Sequence, residues 1–297
     1  MRCRMLSDEL TERFGTKVYR LSLSSGCTCP NRDGTIGTGG CTFCPDTGSG
    51  EFAASFLSLD EQIRLARQKV DAKFPKDIAP GDRRYIAYFQ SYTNTYGDPA
   101  RLRELYLSAV RRPEIAALSV ATRPDCLPDD ILDMLGEVSR IKPVWVELGL
   151  QTVHERTAEE FRRGYTLPVF EKAFRELKER GIEVIVHVIF GLPGETEEDM
   201  LDTVRYLAAL APLPDGVKFH QLQILKGTEM AKRYEREHFP VMTLDEYGSL
   251  LKKALEILPD PVVIHRLTGD GPKPLLIEPK WSADKKRVLN TLRRILQ

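Results

Sequence analysis

Six short apolar runs, at residues 18–23, 85–89, 118–121, 144–150, 184–190 and 217–224, each lead, directly or through a loop, into a stretch with helical spacing. Repetition of strand and helix leaves few folds open. Strands joined through helices lie parallel in one sheet, which is either doubly wound or curled into a barrel. Periodicity alone does not choose between these. The predicted helices fall at 57–70, 99–111, 128–137, 154–161, 169–180, 195–210 and 229–235. The first is the best marked: Leu59, Ile63, Ala66 and Val70 form one stripe, and Ser58 followed three residues later by Glu61 makes a capping box. Gly181, directly after Arg180, is a helix stop. From residue 243 the alternation gives way to an isolated helix through 258, a strand candidate at 262–264, a Gly- and Pro-rich loop and a last helix over 283–296. The expected organisation is a main domain over 1–240 and a C-terminal extension over 241–297 packed on it.

A chain of 297 residues, 42% hydrophobic, can bury the core of one barrel-sized domain. With 29% charged residues and no apolar run near the eighteen or so residues that cross a bilayer, a membrane span is excluded and a soluble protein is expected. The first fifteen residues, MRCRMLSDELTERFG, lack the apolar stretch of a secretory signal, so a cytoplasmic, reducing compartment is expected. A formal net charge of zero at pH 7 leaves a nucleic-acid partner undecided.

In a reducing compartment cysteines act as ligands, catalytic groups or core fillers rather than disulfides. Four of the six here lie between positions 27 and 44, in the segment GCTCPNRDGTIGTGGCTFC. Cys41 and Cys44, with two residues between them, reach one ion or one cluster edge, and the glycines of the loop let Cys29 turn back to meet them. A loop of unligated thiols is disfavoured, because free cysteines seldom cluster without ligation or disulfide chemistry. Counting Cys27 as a fourth ligand gives a structural zinc site, with a first spacing tighter than usual, in a non-catalytic RNA-binding protein. Three thiolates fit better a four-iron cluster whose fourth iron stays open to a reactant, which makes the chain a redox enzyme.

The cysteine loop is one of a series of segments: FGTKVYRLSLSSGCTCPNRDG, AYFQSYTNTY, VATRPDCL, ELGLQT, HVIFGLPGET, KFHQLQILKGTEM and RLTGDGP follow in order over nearly the whole chain. Together they resemble the radical S-adenosylmethionine superfamily, its Elp3-like branch, and within it the YhcC/YtqA-type family. The resemblance implies an α/β fold, a partial (β/α)6 TIM-type barrel with a C-terminal helical extension. It implies a [4Fe-4S] cluster held by Cys29, Cys41 and Cys44. Relatives carry an aromatic residue where this chain has Cys27, which sets Cys27 aside. It also implies S-adenosyl-L-methionine (SAM) on the open iron, a one-electron reductant such as flavodoxin or ferredoxin, and a 5'-deoxyadenosyl radical that abstracts hydrogen from the substrate.

The same resemblance nominates contacts to SAM. Gln151 and, twelve residues on, Arg163 stand where related enzymes contact the cofactor, with the guanidinium suited to the methionine carboxylate and the amide to the ribose. An exposed Gln and a helix-end Arg are the alternative. His187 would reach the ribose from the fifth strand or sit as a satisfied core histidine. Gly191, with Pro193, would let backbone approach adenine, or only punctuate a turn. Phe43 would pack on the adenine or in the core. Gln90, Ser91 and Thr93 end the second strand without the Gly-Gly-Glu segment of many relatives and are weak candidates. Arg123 faces a substrate anion or a structural salt bridge. Cys126 and Cys3 read as core and surface residues.

The Elp3-like resemblance makes a wobble-uridine side chain in tRNA the leading substrate. Arg266, Lys273, Lys280 and a last helix bearing Lys285, Lys286, Arg287, Arg293 and Arg294 would meet phosphates or form a solvated face. No acetyltransferase-like segment follows the barrel, so an acetyl-CoA-dependent reaction is not expected. Radical modification of a small metabolite or a protein side chain is the alternative. Neither the oligomeric state nor the atom that loses hydrogen is legible.

Overall fold

The computed structural model describes residues 3–46 and 57–297. Its strands are β1 (Val18–Leu23), β2 (Arg84–Phe89), β3 (Ile115–Thr122), β4 (Val144–Gln151), β5 (Glu183–Phe190), β6 (Gly216–Gln221), β7 (Ile224–Leu225), β8 (Val263–Arg266) and β9 (Leu276–Glu278). Strands β1 to β6 and then β8 pair in that order, all parallel, and curl into a partial barrel. The run at 217–224 is not one strand: β6 ends at Gln221, and β7 leaves the barrel to pair antiparallel with β9. The C-terminal extension does more than pack on the barrel, because its β8 is the seventh strand.

Between the strands run α1 (Leu6–Phe14), α2 (Leu59–Val70), α3 (Pro99–Val110), α4 (Asp129–Ser139), α5 (Glu155–Glu160), α6 (Leu167–Glu179), α7 (Glu197–Ala209), α8 (Glu229–Glu237), α9 (Leu244–Ile257) and α10 (Lys285–Leu296). Local chemistry sets their ends. Ser58 caps α2 by accepting from the Glu61 N–H at 3.3 Å, and Thr196 and Thr243 open α7 and α9 with reciprocal capping boxes. Gly181 stops the chain after α6 at φ +70°. No helix among the described residues is long and apolar enough to cross a membrane.

The core has two parts. The larger lies between the outer faces of the strands and the helices, where Leu21, Phe89, Leu118, Leu148, Val186 and Phe219 are fully buried or nearly so. The smaller plugs the barrel from below. Val18, Ile86, Ala117, Trp145, Ile185 and Val263, one from each of six strands, meet Leu6 and Leu10 of α1. Helix α1 has no counterpart in the sequence reading, and it seals the N-terminal end of the barrel. Reactive groups are thereby left to the C-terminal end and the lumen above this floor.

Candidate active site

The loop after β1 is fastened on itself before it can hold anything. Arg32 and Asp33 donate backbone N–H groups to the Cys29 carbonyl at 2.8 and 3.2 Å, Gly40 N–H donates to Asn31 O at 2.8 Å, and Cys44 N–H to Cys41 O at 2.9 Å. Gly40 sits at φ +80° with the Arg32 guanidinium 2.8 Å from where a Cβ would stand, so only glycine fits there. The loop is also tied to the turn after α5: Thr42 N–H donates to Phe161 O at 3.0 Å, and Asn31 Nδ2 to Arg162 O at 2.6 Å. Arg162 holds a left-handed φ of 60° to offer that carbonyl.

Cys29, Cys41 and Cys44 are all half-buried. Burial pushes the Cys41 thiol up to about 12, helped by Cys44 and Cys29 and opposed by Arg123. Burial likewise raises Cys44, against the pull of Arg32. Both shifts oppose free thiolates at Cys41 and Cys44, so cluster binding there would have to release protons. The donor set fits an anionic cluster: three thiols near enough to feel one another, with Asn31 Nδ2 3.6 Å from Cys41 Sγ and the Arg32 and Arg123 guanidinium groups at the edge. Cys27 is elsewhere. Its sulfur is buried in the core, 3.3 Å from Nη2 of Arg101 on α3, so it is not available as the fourth ligand of a zinc site. Cys126 is buried, as expected, and the half-buried Cys3 packs against the main core instead of lying on the surface.

Cys41 and Cys44 form part of the wall of a cavity of about 300 Å³ at the C-terminal end of the barrel, which Phe43, Gln90, Arg123, Gln151, Arg163 and His187 also line. Phe43 packs on Phe161, ring centres 5.3 Å apart. Gln151 ends β4 at φ +64° after a register shift, a left-handed residue at a bulge that turns its side chain to the cavity, where Tyr165 donates to Oε1 at 3.2 Å. Gly191, at φ +84°, lies instead beside a small neighbouring cavity against Met242.

Arg163 departs from the picture of a free carboxylate-binding fork. It is 1% exposed, and its guanidinium donates to the carbonyls of Leu150, Thr152 and Tyr165 at 3.1, 2.7 and 2.9 Å and to the Glu155 carboxylate at 3.0 Å. In this arrangement it braces the backbone on both sides of Gln151. Arg123 forms a two-bond salt bridge with Asp125, at 2.9 and 2.7 Å, and donates to Arg163 O at 2.9 Å. Arg266 is not a surface contact for phosphates: it lines the inner cavity.

Below the cysteines the lumen holds an ionic layer that the sequence reading missed. Glu147 on β4 is 1% exposed and accepts from Tyr88 Oη at 2.7 Å, Ser119 Oγ at 2.9 Å and His187 Nε2 at 3.0 Å, and it pairs with Lys218. His187 stacks on His220, ring centres 5.3 Å apart. Arg20 lies over the Tyr88 ring at 5.4 Å. Burial would raise the Glu147 carboxyl, but Lys218, His187 and Arg20 override it and hold it well below the usual carboxylate range. Burial, then Arg20 and Arg266, lower Lys218 well below its usual range despite Glu147. The Glu147 carboxyl is thus held down by its cationic neighbours, whereas burial comes first in the shift of Lys218. The available signal was a titratable residue inside a largely apolar strand, as with Glu147 in VWVELGLQ, His187 in EVIVHVIF and Lys218 in GVKFHQ.

Residues 29–207 match the radical SAM superfamily. The chain belongs to it. Residues 214–297 match the radical SAM C-terminal domain. This radical SAM enzyme is similar to YtqA of Bacillus subtilis, with 42% identity over 98% of this chain and 88% of that protein, and to YhcC of Escherichia coli, with 38% over 95% and 88%. It is also similar, at 29% identity over 54% of this chain and 30% of that protein, to the tRNA uridine(34) acetyltransferase of Methanocaldococcus jannaschii. Among solved structures, an N-terminally truncated Elp3 from Methanocaldococcus infernus superposes with a TM-score of 0.66 at 17% identity, over 93% of this chain and 63% of that one, which shows the shared fold. Enzymes of this superfamily bind a [4Fe-4S] cluster and SAM, and these are the cofactors of this chain.

Proposed function

We propose that this radical SAM enzyme modifies a wobble-uridine side chain in tRNA, with Cys29, Cys41 and Cys44 holding the cluster and Gln151, Phe43 and His187 placing SAM over the lumen. The observation that carries the site is the meeting of the cysteine loop, the strained Gln151 and the β5 histidine on one cavity. Held by Cys29, Cys41 and Cys44, the cluster would supply the single electron for reductive cleavage of SAM. The protein's own part is orientation and shelter. Gln151 offers an amide to ribose hydroxyls, and Arg163 fixes the carbonyls on either side of it. Phe43, against Phe161, presents an apolar face, and the α1 plug closes the lumen from below.

The similarity to the tRNA uridine(34) acetyltransferase supports the choice of tRNA. So do exposed cations: Lys273 beside the cavity-lining Pro272, and Lys286, Arg287 and Arg293 on α10. Lys285 and Arg294 of that helix are engaged by Asp270 and Asp245. Nucleoside analysis of tRNA from cells lacking the gene tests the substrate. A changed level of one wobble-uridine nucleoside is expected, and unchanged levels of all of them would refute it. An electron donor of the flavodoxin or ferredoxin class completes the proposal.

A further inference from the structure

The lumen beneath the cysteine loop is over-supplied with positive charge. Arg20 and Arg266 carry permanent cations, Lys218 adds a third charge where Glu147 pairs with it, and among the described residues Glu147 is the carboxylate that faces them. Asp270, at the cavity rim, is engaged by Lys285. Lys218 satisfies itself on Glu147 and Tyr88. The two arginines do not: Nη2 of Arg20 is buried with no hydrogen-bond partner. Among the described residues, no hydrogen bond or ion pair engages the Arg266 guanidinium, although it lines the cavity. A second buried donor or acceptor, Nε2 of His220, faces the same space without a partner.

Comparable barrels fill this level with branched apolar side chains. Burying cations without counter-charge costs stability, so a fold keeps such an excess where function supplies the missing anion. We infer that the lumen is a substrate subsite for an oxyanion group, a carboxylate or a phosphate, held by Arg266 with Arg20 behind it. The planar fork of Arg266, on the seventh strand, suits two parallel hydrogen bonds to such a group. The neutral end of the substrate then extends upward toward the cysteine loop. The inference rests on the reading of this cavity as the active site, and it narrows the substrate to molecules with an anionic group within reach of the reacting carbon.

The test uses cluster-loaded protein under anaerobic conditions, melted in acetate, malonate or inorganic phosphate against chloride at constant ionic strength. The wild type is expected to show a saturable rise in melting temperature with at least one oxyanion, and the carboxylate and phosphate arms tell which kind of group is taken. The rise is lost in R266Q, partly kept in R266K, reduced in R20Q and unchanged in K69Q, whose site is exposed on α2. Without added anion R266Q melts no lower than wild type, because a like charge has left the lumen. Equal rises in wild type and R266Q would overturn the inference. So would displacement of the oxyanion by SAM, which would make the cationic lumen the seat of the cofactor's own carboxylate. Iron content and 5'-deoxyadenosine formation on the same preparations separate the two failures: a loaded enzyme that cleaves SAM and ignores oxyanions refutes the subsite and leaves the radical reading standing.

Discussion

Replacing either partner of the buried Glu147–Lys218 pair tests whether the lumen carries excess positive charge. Both side chains are fully buried. In an isolated buried pair, loss of either member strands the other and costs about 3–5 kcal/mol. Here the two losses differ. Glu147→Gln leaves Lys218 facing Arg20 and Arg266 with no anion, and the full cost of about 3–5 kcal/mol is expected. Lys218→Met keeps the shape of the stem and leaves Glu147 with hydrogen bonds from Tyr88, Ser119 and His187 and the fields of two arginines. Its cost should approach that of one charged hydrogen bond, about 1.5–3 kcal/mol. The double variant should be more stable than E147Q alone, because it removes a cation that E147Q leaves repelled. Urea unfolding at pH 7.5 reads these differences as midpoints, with E147Q lowered by on the order of 1 M. A K218M variant as costly as E147Q, or more so, would refute the excess of charge.

Further outcomes follow from the same geometry. Cys29→Ala, Cys41→Ala and Cys44→Ala should each abolish iron retention after anaerobic reconstitution, while Cys27→Ala, which alters a core contact with Arg101, should keep it; iron and sulfide assays decide. Arg163→Gln should cost about 1–3 kcal/mol for each carbonyl left without a donor, and weaken SAM binding through Gln151; Arg163→Lys should restore only part of both, because a point charge cannot replace the fork. Stability should also fall on mild acidification. Burial lowers His187, His220 and His265, with Arg20, Lys218 and Arg266 as the facing cations and Glu147 the facing anion. Their folded values lie below the unfolded value of about 6.5, so the unfolded chain binds more protons and the stability present above that pH is lost beneath it, at about 1.4 kcal/mol per pH unit for each histidine still neutral. The Glu147 contribution is present above about 4.3 and is lost only as pH falls through its lower folded value. Urea unfolding between pH 7.5 and 5.5 measures the histidine part, and a flat profile would contradict it.

The strand and helix alternation was legible because both faces of a parallel sheet are covered, which makes each strand an apolar run long enough to stand out. The seventh strand was harder: Val263–Arg266 is four residues long and follows a change of pattern, and nothing local tells a strand that joins the barrel from one that lies on it. Helix α1 escaped because nine charged-rich residues with two buried leucines show their purpose only against the floor of the barrel. The cysteine loop was legible from spacing, and the resemblance to relatives set Cys27 apart; the structure supplies the physical reason in Arg101. The bracing role of Arg163 was hidden, since its partners are backbone carbonyls that no side-chain pattern reveals. The ionic layer was hidden more deeply. Arg20, Glu147, His187, Lys218 and Arg266 come from five strands, and only closure of the sheet brings them to one level.

The central claim, that three thiolates on the β1 loop hold a cluster serving SAM, has one direct measurement. The protein is reconstituted anaerobically with iron and sulfide, reduced with dithionite and incubated with SAM, and the products are separated. The account predicts an iron-loaded, coloured protein that forms 5'-deoxyadenosine and methionine, and a Cys41→Ala variant that forms neither. A fully loaded, reduced enzyme that binds SAM and leaves it intact, or a colourless protein holding zinc and no iron, would contradict it.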